Sequence, residues 1–129
     1  MGENGFKIVL VEDDEEDYLI LNGVLEQAFR NQVSLAWIDR CDEAVENICH
    51  SPPDLLLVDY DLTGGCTGFD VVRAVEEKGV RVPSVLLTAH KEETIGAEEV
   101  REKFDAYLSK HDLTPQAVKK LLPAVCRKS

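Results

Sequence analysis

Pro53-Asp54-Leu55-Leu56-Leu57-Val58-Asp59-Tyr60-Asp61 is the stretch on which the fold turns. A short, unbroken apolar run from Leu55 to Val58 that stops at a carboxylate reads as a strand covered on both faces and ending at a polar edge. Ser51-Pro52-Pro53 stops the segment before it, and a glycine-rich loop follows before Phe69, Val72 and Val75 open a helix face. Toward the N-terminus, Ala44, Val45, Ile48 and Cys49 lie on one side of a helix. Val33 to Ile38 alternates apolar and small residues, Tyr18, Leu21, Leu25, Ala28 and Phe29 recur at helical spacing, and Phe6 to Val11 forms a first strand. Toward the C-terminus, Val85 to Leu87 is a fourth apolar run ending at Thr88-Ala89, and Ala106 to Ser109 a fifth. The segment between them, Lys91 to Lys103, has the weakest helical pattern, with Ile95, Val100 and Phe104 diluted by Gly96 and glutamates. Thr114-Pro115 supplies a side-chain cap and a first-turn proline for a last helix bearing Val118, Leu121, Leu122 and Val125.

Strict alternation of strand and helix predicts a parallel sheet with right-handed crossovers and helices on both faces. Strands one, three and four are nearly continuous apolar runs, whereas the second alternates and the fifth is short, as edge strands do. The predicted strand order is 2-1-3-4-5, an α/β, flavodoxin-like (βα)5 doubly wound sheet, whose ligands bind beyond the carboxyl ends of strands one and three. A length of 129 residues fits one domain, with its core at about residues 6–127.

Composition narrows the function. Fourteen basic against twenty-five acidic side chains give a net charge of -11, which disfavours direct binding to nucleic acid. No apolar run approaches twenty residues and Met1-Gly2-Glu3-Asn4 does not open a secretory signal, so the expected location is cytoplasmic, with no membrane contact. Cys41, Cys49, Cys66 and Cys126 form no C-x-x-C pair and no zinc spacing, and Cys49 reads as a small hydrophobe in a helix stripe.

The residues just beyond the strands are chemically pointed. Glu12, Asp13 and Asp14 follow strand one, Asp59 and Asp61 strand three, Thr88 strand four, and Lys110 strand five. Taken singly, the first acidic group reads as helix capping, Asp59 as a turn residue, Thr88 as a cap and Lys110 as a solvated lysine. Their convergence on one sheet edge favours a hard divalent cation, Mg²⁺ rather than Zn²⁺, neutralising crowded carboxylates. Asp59 would then attack an incoming phosphoryl group, with Lys110 and the Thr88 hydroxyl meeting its other oxygens.

Val11-Glu12-Asp13-Asp14, Pro53 to Asp59, Gly68, Leu87-Thr88-Ala89 and Tyr107-Leu108-Ser109-Lys110 together resemble the receiver domains of two-component response regulators, of the chemotaxis-regulator type, over about Phe6 to Arg127. The resemblance implies that Asp59 is the phosphoacceptor and that Glu12 and Asp13 serve the metal (Mg²⁺ or Mn²⁺) with Asp59 and the main-chain carbonyl of Asp61, Asp13 directly and Glu12 in support. It implies that Thr88 and Lys110 contact the phosphoryl group and that Thr88 and Tyr107 form the switch. It also implies catalysis of the chain's own phosphorylation and dephosphorylation rather than multiple turnover. The implied partners are a sensor histidine kinase or histidine phosphotransfer domain as donor, and a downstream protein on the surface of helix four, strand five and helix five. Either a stand-alone regulator or a piece of a hybrid protein fits the sequence.

Three departures stand out. His111 follows Lys110 where receivers usually carry proline, Asp61 adds a charge two residues after Asp59, and Thr63-Gly64-Gly65-Cys66-Thr67 lacks the usual loop proline. His90, two residues past Thr88, is read as either a solvated helix start or a group titrating near the phosphoryl site. Asp59-Tyr60-Asp61-Leu62-Thr63 also resembles the D-x-D-x-T signature of haloacid-dehalogenase-like phosphatases, but that family carries it on the first strand and a further acidic motif after the lysine, where only Asp112 stands here. A receiver-like interaction module working without phosphorylation is a further alternative. A flavin carrier is disfavoured by the acidic first loop.

Overall fold

The computed structural model describes residues 6–89 and 96–128. Within them, β1 (Phe6–Val11), β2 (Val33–Ile38), β3 (Leu55–Asp59), β4 (Ser84–Thr88) and β5 (Ala106–Ser109) form one sheet in the order β2-β1-β3-β4-β5, every pair parallel. The connecting helices are α1 (Glu15–Phe29), α2 (Cys41–His50), α3 (Gly68–Glu77), α4 (Ala97–Lys103) and α5 (Pro115–Lys128). The expected order and the doubly wound arrangement are both present. His90 and Ile95 lie outside the described residues, and α4 within them begins only at Ala97.

Side chains two residues apart on a strand share a face, so each central strand feeds two cores. Val9, Val11, Leu56, Val58 and Leu86 pack with Ala44, Ile48, Val71, Val72, Val75, Val100 and Phe104 of α2, α3 and the α4 region. Ile8, Leu10, Leu55, Leu57, Val85, Leu87 and Leu108 pack with Leu21, Leu25, Ala28, Val118, Leu122 and Val125 of α1 and α5. β3 and β4 are buried at every position, whereas β2 alternates half-buried and exposed residues up to Ile38, as the sequence pattern of an edge strand requires. Each fully buried aliphatic side chain contributes about 1.5–3 kcal/mol, so the two cores hold the strand ends in register.

Gly68 opens α3 where no side chain fits. A Cβ there would lie 2.8 Å from the Asp59 carbonyl oxygen and 3.0 Å from Leu86 Cδ1. Close approach of α3 to β3 thus fixes the backbone at the sheet edge. Thr67 caps the helix in a reciprocal box with Asp70, which makes the start of α3 a firm boundary for the loop that precedes it.

Candidate functional site

Strand parity assembles the site. Ile8-Leu10-Glu12, Leu55-Leu57-Asp59 and Leu108-Lys110 each continue the row facing α1 and α5, so three charged side chains leave the sheet on one face at its carboxyl edge. Glu12 is 1% exposed, Asp59 4% and Thr88 1%, unusually low for polar residues that end strands. Lys110 Nζ lies 3.0 Å from Glu12 Oε2, 3.1 Å from Asp59 Oδ1 and 2.8 Å from Asp17 Oδ2. Carboxylate oxygens of Glu12, Asp13 and Asp59 all fall within 4.8 Å of one another.

The acidic run after β1 divides its labour. Asp14 is the N-cap of α1, its Oδ1 accepting the Glu16 N–H at 2.8 Å, which is the capping role that such residues often play. Glu12 Oε1 accepts the Asp14 N–H at 3.2 Å, while its Oε2 turns to Lys110. The Glu12 main chain is held on both sides: its N–H donates to Ile38 at 3.1 Å, and its carbonyl accepts the Trp37 indole N–H at 2.6 Å. Trp37 in turn stacks on Tyr18 of α1, centroids 4.3 Å apart and planes 5° from parallel. An aromatic pair between the edge strand and α1 therefore fixes the first loop.

Asp17 was not singled out in the sequence. It sits in the first turn of α1, within a run of acids that reads as ordinary first-turn charge, and only the packing of α1 over the carboxyl end of the sheet brings it to Lys110. Lys110 reaches the cluster without a proline after it. Residues Lys110–Asp112 make a 3-10 turn, and Ser109 Oγ accepts the His111 N–H at 3.1 Å, a side-chain clamp at the position in question.

Thr88 and Tyr107 lie on the opposite face of the sheet. Thr88 continues the parity of Leu86, Leu86 pairs in register with Tyr107, and Tyr107 packs half-buried against the α2–α4 core. Asp61 is exposed at its side chain, but its charge still acts on Asp59. Its backbone forms an isolated antiparallel bridge with Thr67, and the loop around it is tied by Leu62 N–H to Cys66 O at 3.2 Å and Gly68 N–H to Tyr60 O at 3.2 Å. Cys66 is joined by a disulfide to Cys41, the first residue of α2; the spacing of the cysteines gave no sign of this pair. Cys49 and Cys126 are free, and Cys49 packs against the α2–α3 side of the core as a small hydrophobe would.

Electrostatics follows from burial. Withdrawal from water raises the Glu12 carboxyl to about 8, the Asp59 charge adds to this, and Lys110 offsets part of it. Asp59 is raised by burial too, against the pull of Lys110 and a side-chain hydrogen bond with Glu12. Burial pulls Lys110 downward, but its bonds to Asp17 and Glu12 and the Asp59 charge outweigh this and hold its pKa above the ordinary lysine value. The folded chain thus keeps a proton on Glu12 that the unfolded chain releases above its ordinary value of 4.5. Stability in a chelator should fall as pH rises from 4.5 to 8, by up to about 1.4 kcal/mol per unit, and level off above that. Urea midpoints across this range check it: Glu12→Gln should flatten the slope, and a parent curve that is flat or rises would contradict the proton on Glu12.

In a doubly wound sheet ligands bind at the carboxyl edge beside the topological switch point, which is where these carboxylates and the ammonium gather. The family model described as the response regulator receiver domain matches residues 8–122, and the chain belongs to that family. The transcriptional regulatory protein QseB of Escherichia coli O157:H7 is 32% identical over 104 residues, covering 81% of this chain and 46% of that protein. The regulatory protein LuxO of Vibrio cholerae is 40% identical over 68 residues, 53% of this chain and 15% of the relative. The chain therefore spans less than half the length of either. Among solved structures, the N-terminal domain of a response regulator/sensory box/GGDEF protein from Carboxydothermus hydrogenoformans superimposes with a TM-score of 0.79 at 26% identity, covering 95% of this chain and 94% of that one. The signal receiver domain of NarL from Mycobacterium tuberculosis gives 0.80 at 22% identity, covering 98% and 99%, and shares the fold. Membership of this family leaves the phosphatase reading of Asp59-Tyr60-Asp61 without support. No described helix is long and apolar enough to cross a membrane.

Proposed function

We propose that this chain is a single receiver unit that takes a phosphoryl group onto Asp59 from a phosphohistidine donor, on a sensor kinase or a phosphotransfer domain, in the cytoplasm. The observation that carries the proposal is the buried Asp59 carboxylate 3.1 Å from Lys110, with Glu12 and Asp13 gathered beside it. An Asp59 oxygen forms the new bond to phosphorus while the bond from phosphorus to the donor nitrogen breaks, its electron pair leaving with the imidazole. Lys110 faces the charge that develops on the phosphoryl oxygens, and Asp17 and Glu12 keep its ammonium directed there. Thr88 supplies a hydroxyl from the neighbouring strand.

The all-oxygen donor set of Glu12, Asp13 and Asp59 fits Mg²⁺ or Mn²⁺, with the Asp61 main-chain carbonyl as a further ligand. When bound, the cation supplies charge neutralisation and Lewis acidity toward a phosphoryl oxygen. Phosphorylation then draws Thr88 toward the new group and lets Tyr107 turn inward, changing the surface of α4, β5 and α5 presented to a downstream protein. The shared face and adjacent register of Thr88 and Tyr107 support this coupling. A panel of phosphohistidine donors tests the reading: one or more should transfer label in the presence of Mg²⁺, and a chain that takes label from none of them, nor from an acyl phosphate, would rule it out.

Asp61 tunes the lifetime of the product. Its negative charge reaches Asp59 and opposes both a second anion and the hydroxide-like water that hydrolyses the phosphoaspartate. Asp61→Asn should weaken Mg²⁺ binding and shorten the phosphorylated lifetime, each severalfold. Slower decay in that variant would instead mark Asp61 as a base for self-dephosphorylation.

A further inference from the structure

The disulfide between Cys41 and Cys66 joins two connections at the sheet edge that carries the proposed phosphorylation site. Cys41 is the first residue of α2, and Cys66 lies seven residues after Asp59, in the loop that ends at the α3 cap. That loop contains Asp61 and two consecutive glycines with left-handed backbone, Gly64 at φ 79° and Gly65 at φ 77°. These two glycines add no side chain to the packing of the loop. Its anchors include two backbone bonds of 3.2 Å, the Asp61–Thr67 bridge and the covalent tie to α2. The two Cα atoms are 6.7 Å apart, within disulfide reach, and both cysteines are half-buried. Disulfides of this kind are rare in a reducing compartment, where those that occur are mostly redox-sensing or catalytic.

We propose that Cys41 and Cys66 are a reversible thiol–disulfide site whose oxidised form clamps the Asp61 loop and tightens cation binding beside Asp59. The cation part of this inference rests on the phosphoacceptor reading above; the thiol chemistry does not. In oxidation, one cysteine thiolate attacks a small-molecule disulfide and expels one thiolate. The second cysteine then displaces the other, so the protein loses two protons and two electrons and the small disulfide becomes two thiols. A dithiol reverses the sequence. Opening the bond removes the covalent tie between the loop and α2, so the Asp61 carbonyl is less well positioned toward the cation.

The test uses the full chain with Cys49→Ser and Cys126→Ser, which leaves one reactive pair, alongside the parent. After oxidised glutathione the chain should present two fewer alkylatable thiols than after dithiothreitol, with a cross-linked peptide joining Cys41 to Cys66. Mg²⁺ titration followed by the fluorescence of Trp37, the single tryptophan, which is bonded to the Glu12 loop, should show severalfold weaker binding in the reduced form. Cys41→Ser should match the reduced form under both treatments. Failure to form the cross-linked peptide, equal Mg²⁺ affinity in the two states, or a redox response that survives in Cys41→Ser would overturn the proposal. Absence of acyl-phosphate labelling in both states would contradict the phosphoacceptor reading while the thiol count and the titration still decide this one.

Discussion

Asp59→Asn is expected to reduce acyl-phosphate labelling by at least about 100-fold, to the background of the assay, while leaving the chain folded. The amide has nearly the same volume as the carboxylate and removes a charge that burial disfavours, so the core at the end of β3 should tolerate it. It is far less nucleophilic, and three of the neighbouring acids are committed elsewhere. Glu12 is engaged by Lys110, Asp14 caps α1, and Asp17 stands on a helix rather than on the strand edge. Labelling and far-ultraviolet circular dichroism on the same sample separate the chemical from the structural effect. A variant that labels at the parent rate would remove Asp59 from its role.

Lys110→Ala should be the most costly change at the site after Asp59 itself. One ammonium lies within 3.1 Å of three carboxylates, so its loss leaves Glu12, Asp17 and Asp59 facing one another without compensation. Acyl-phosphate labelling should slow on the order of 10- to 100-fold, since a charged donor to the developing phosphoryl charge is gone. Stability at pH 8 should drop by about 3 kcal/mol, and lower pH should recover much of it, because the carboxylates can then take up protons. The sign follows from Glu12 and Asp59, whose folded-state pKa values are already raised and would rise further without Lys110. Urea unfolding at pH 5.5 and 8 with a chelator reads this. A variant whose loss of stability is the same at both values would show that the lysine does not neutralise the cluster.

The parts of this site that were readable in the sequence share a geometric reason. Residues that follow an apolar strand must emerge at the sheet edge, and strand parity decides which face they take. Glu12, Asp59 and Lys110 could therefore be read as neighbours although 98 residues separate the first from the last. The strand order was legible because β2 alternates and β5 is short. Asp17 was hidden because a helix in a strongly acidic chain offers many carboxylates, and which of them reaches Lys110 depends on how α1 lies over the sheet. The Trp37–Tyr18 stack was hidden for a related reason, since both residues read as ordinary apolar positions of an edge strand and a helix. No pattern of spacing joins Cys41 to Cys66 across 25 residues; only the folding of α2 beside the Asp61 loop brings them together. The turn after Lys110 needed no proline, because Ser109 Oγ supplies from the side chain a local restraint that the sequence did not advertise.

Peptide mapping of the labelled chain tests the central claim most directly. The full chain, treated with an acyl phosphate and Mg²⁺, is trapped by borohydride reduction of the acyl phosphate and digested. The modified residue is then located by tandem mass spectrometry. The account predicts a single modified carboxylate, Asp59, dependent on Mg²⁺ and absent from Asp59→Asn. Modification of Glu12, Asp13, Asp17 or Asp61 in its place, or of Asp59 to the same extent in excess chelator, would contradict it.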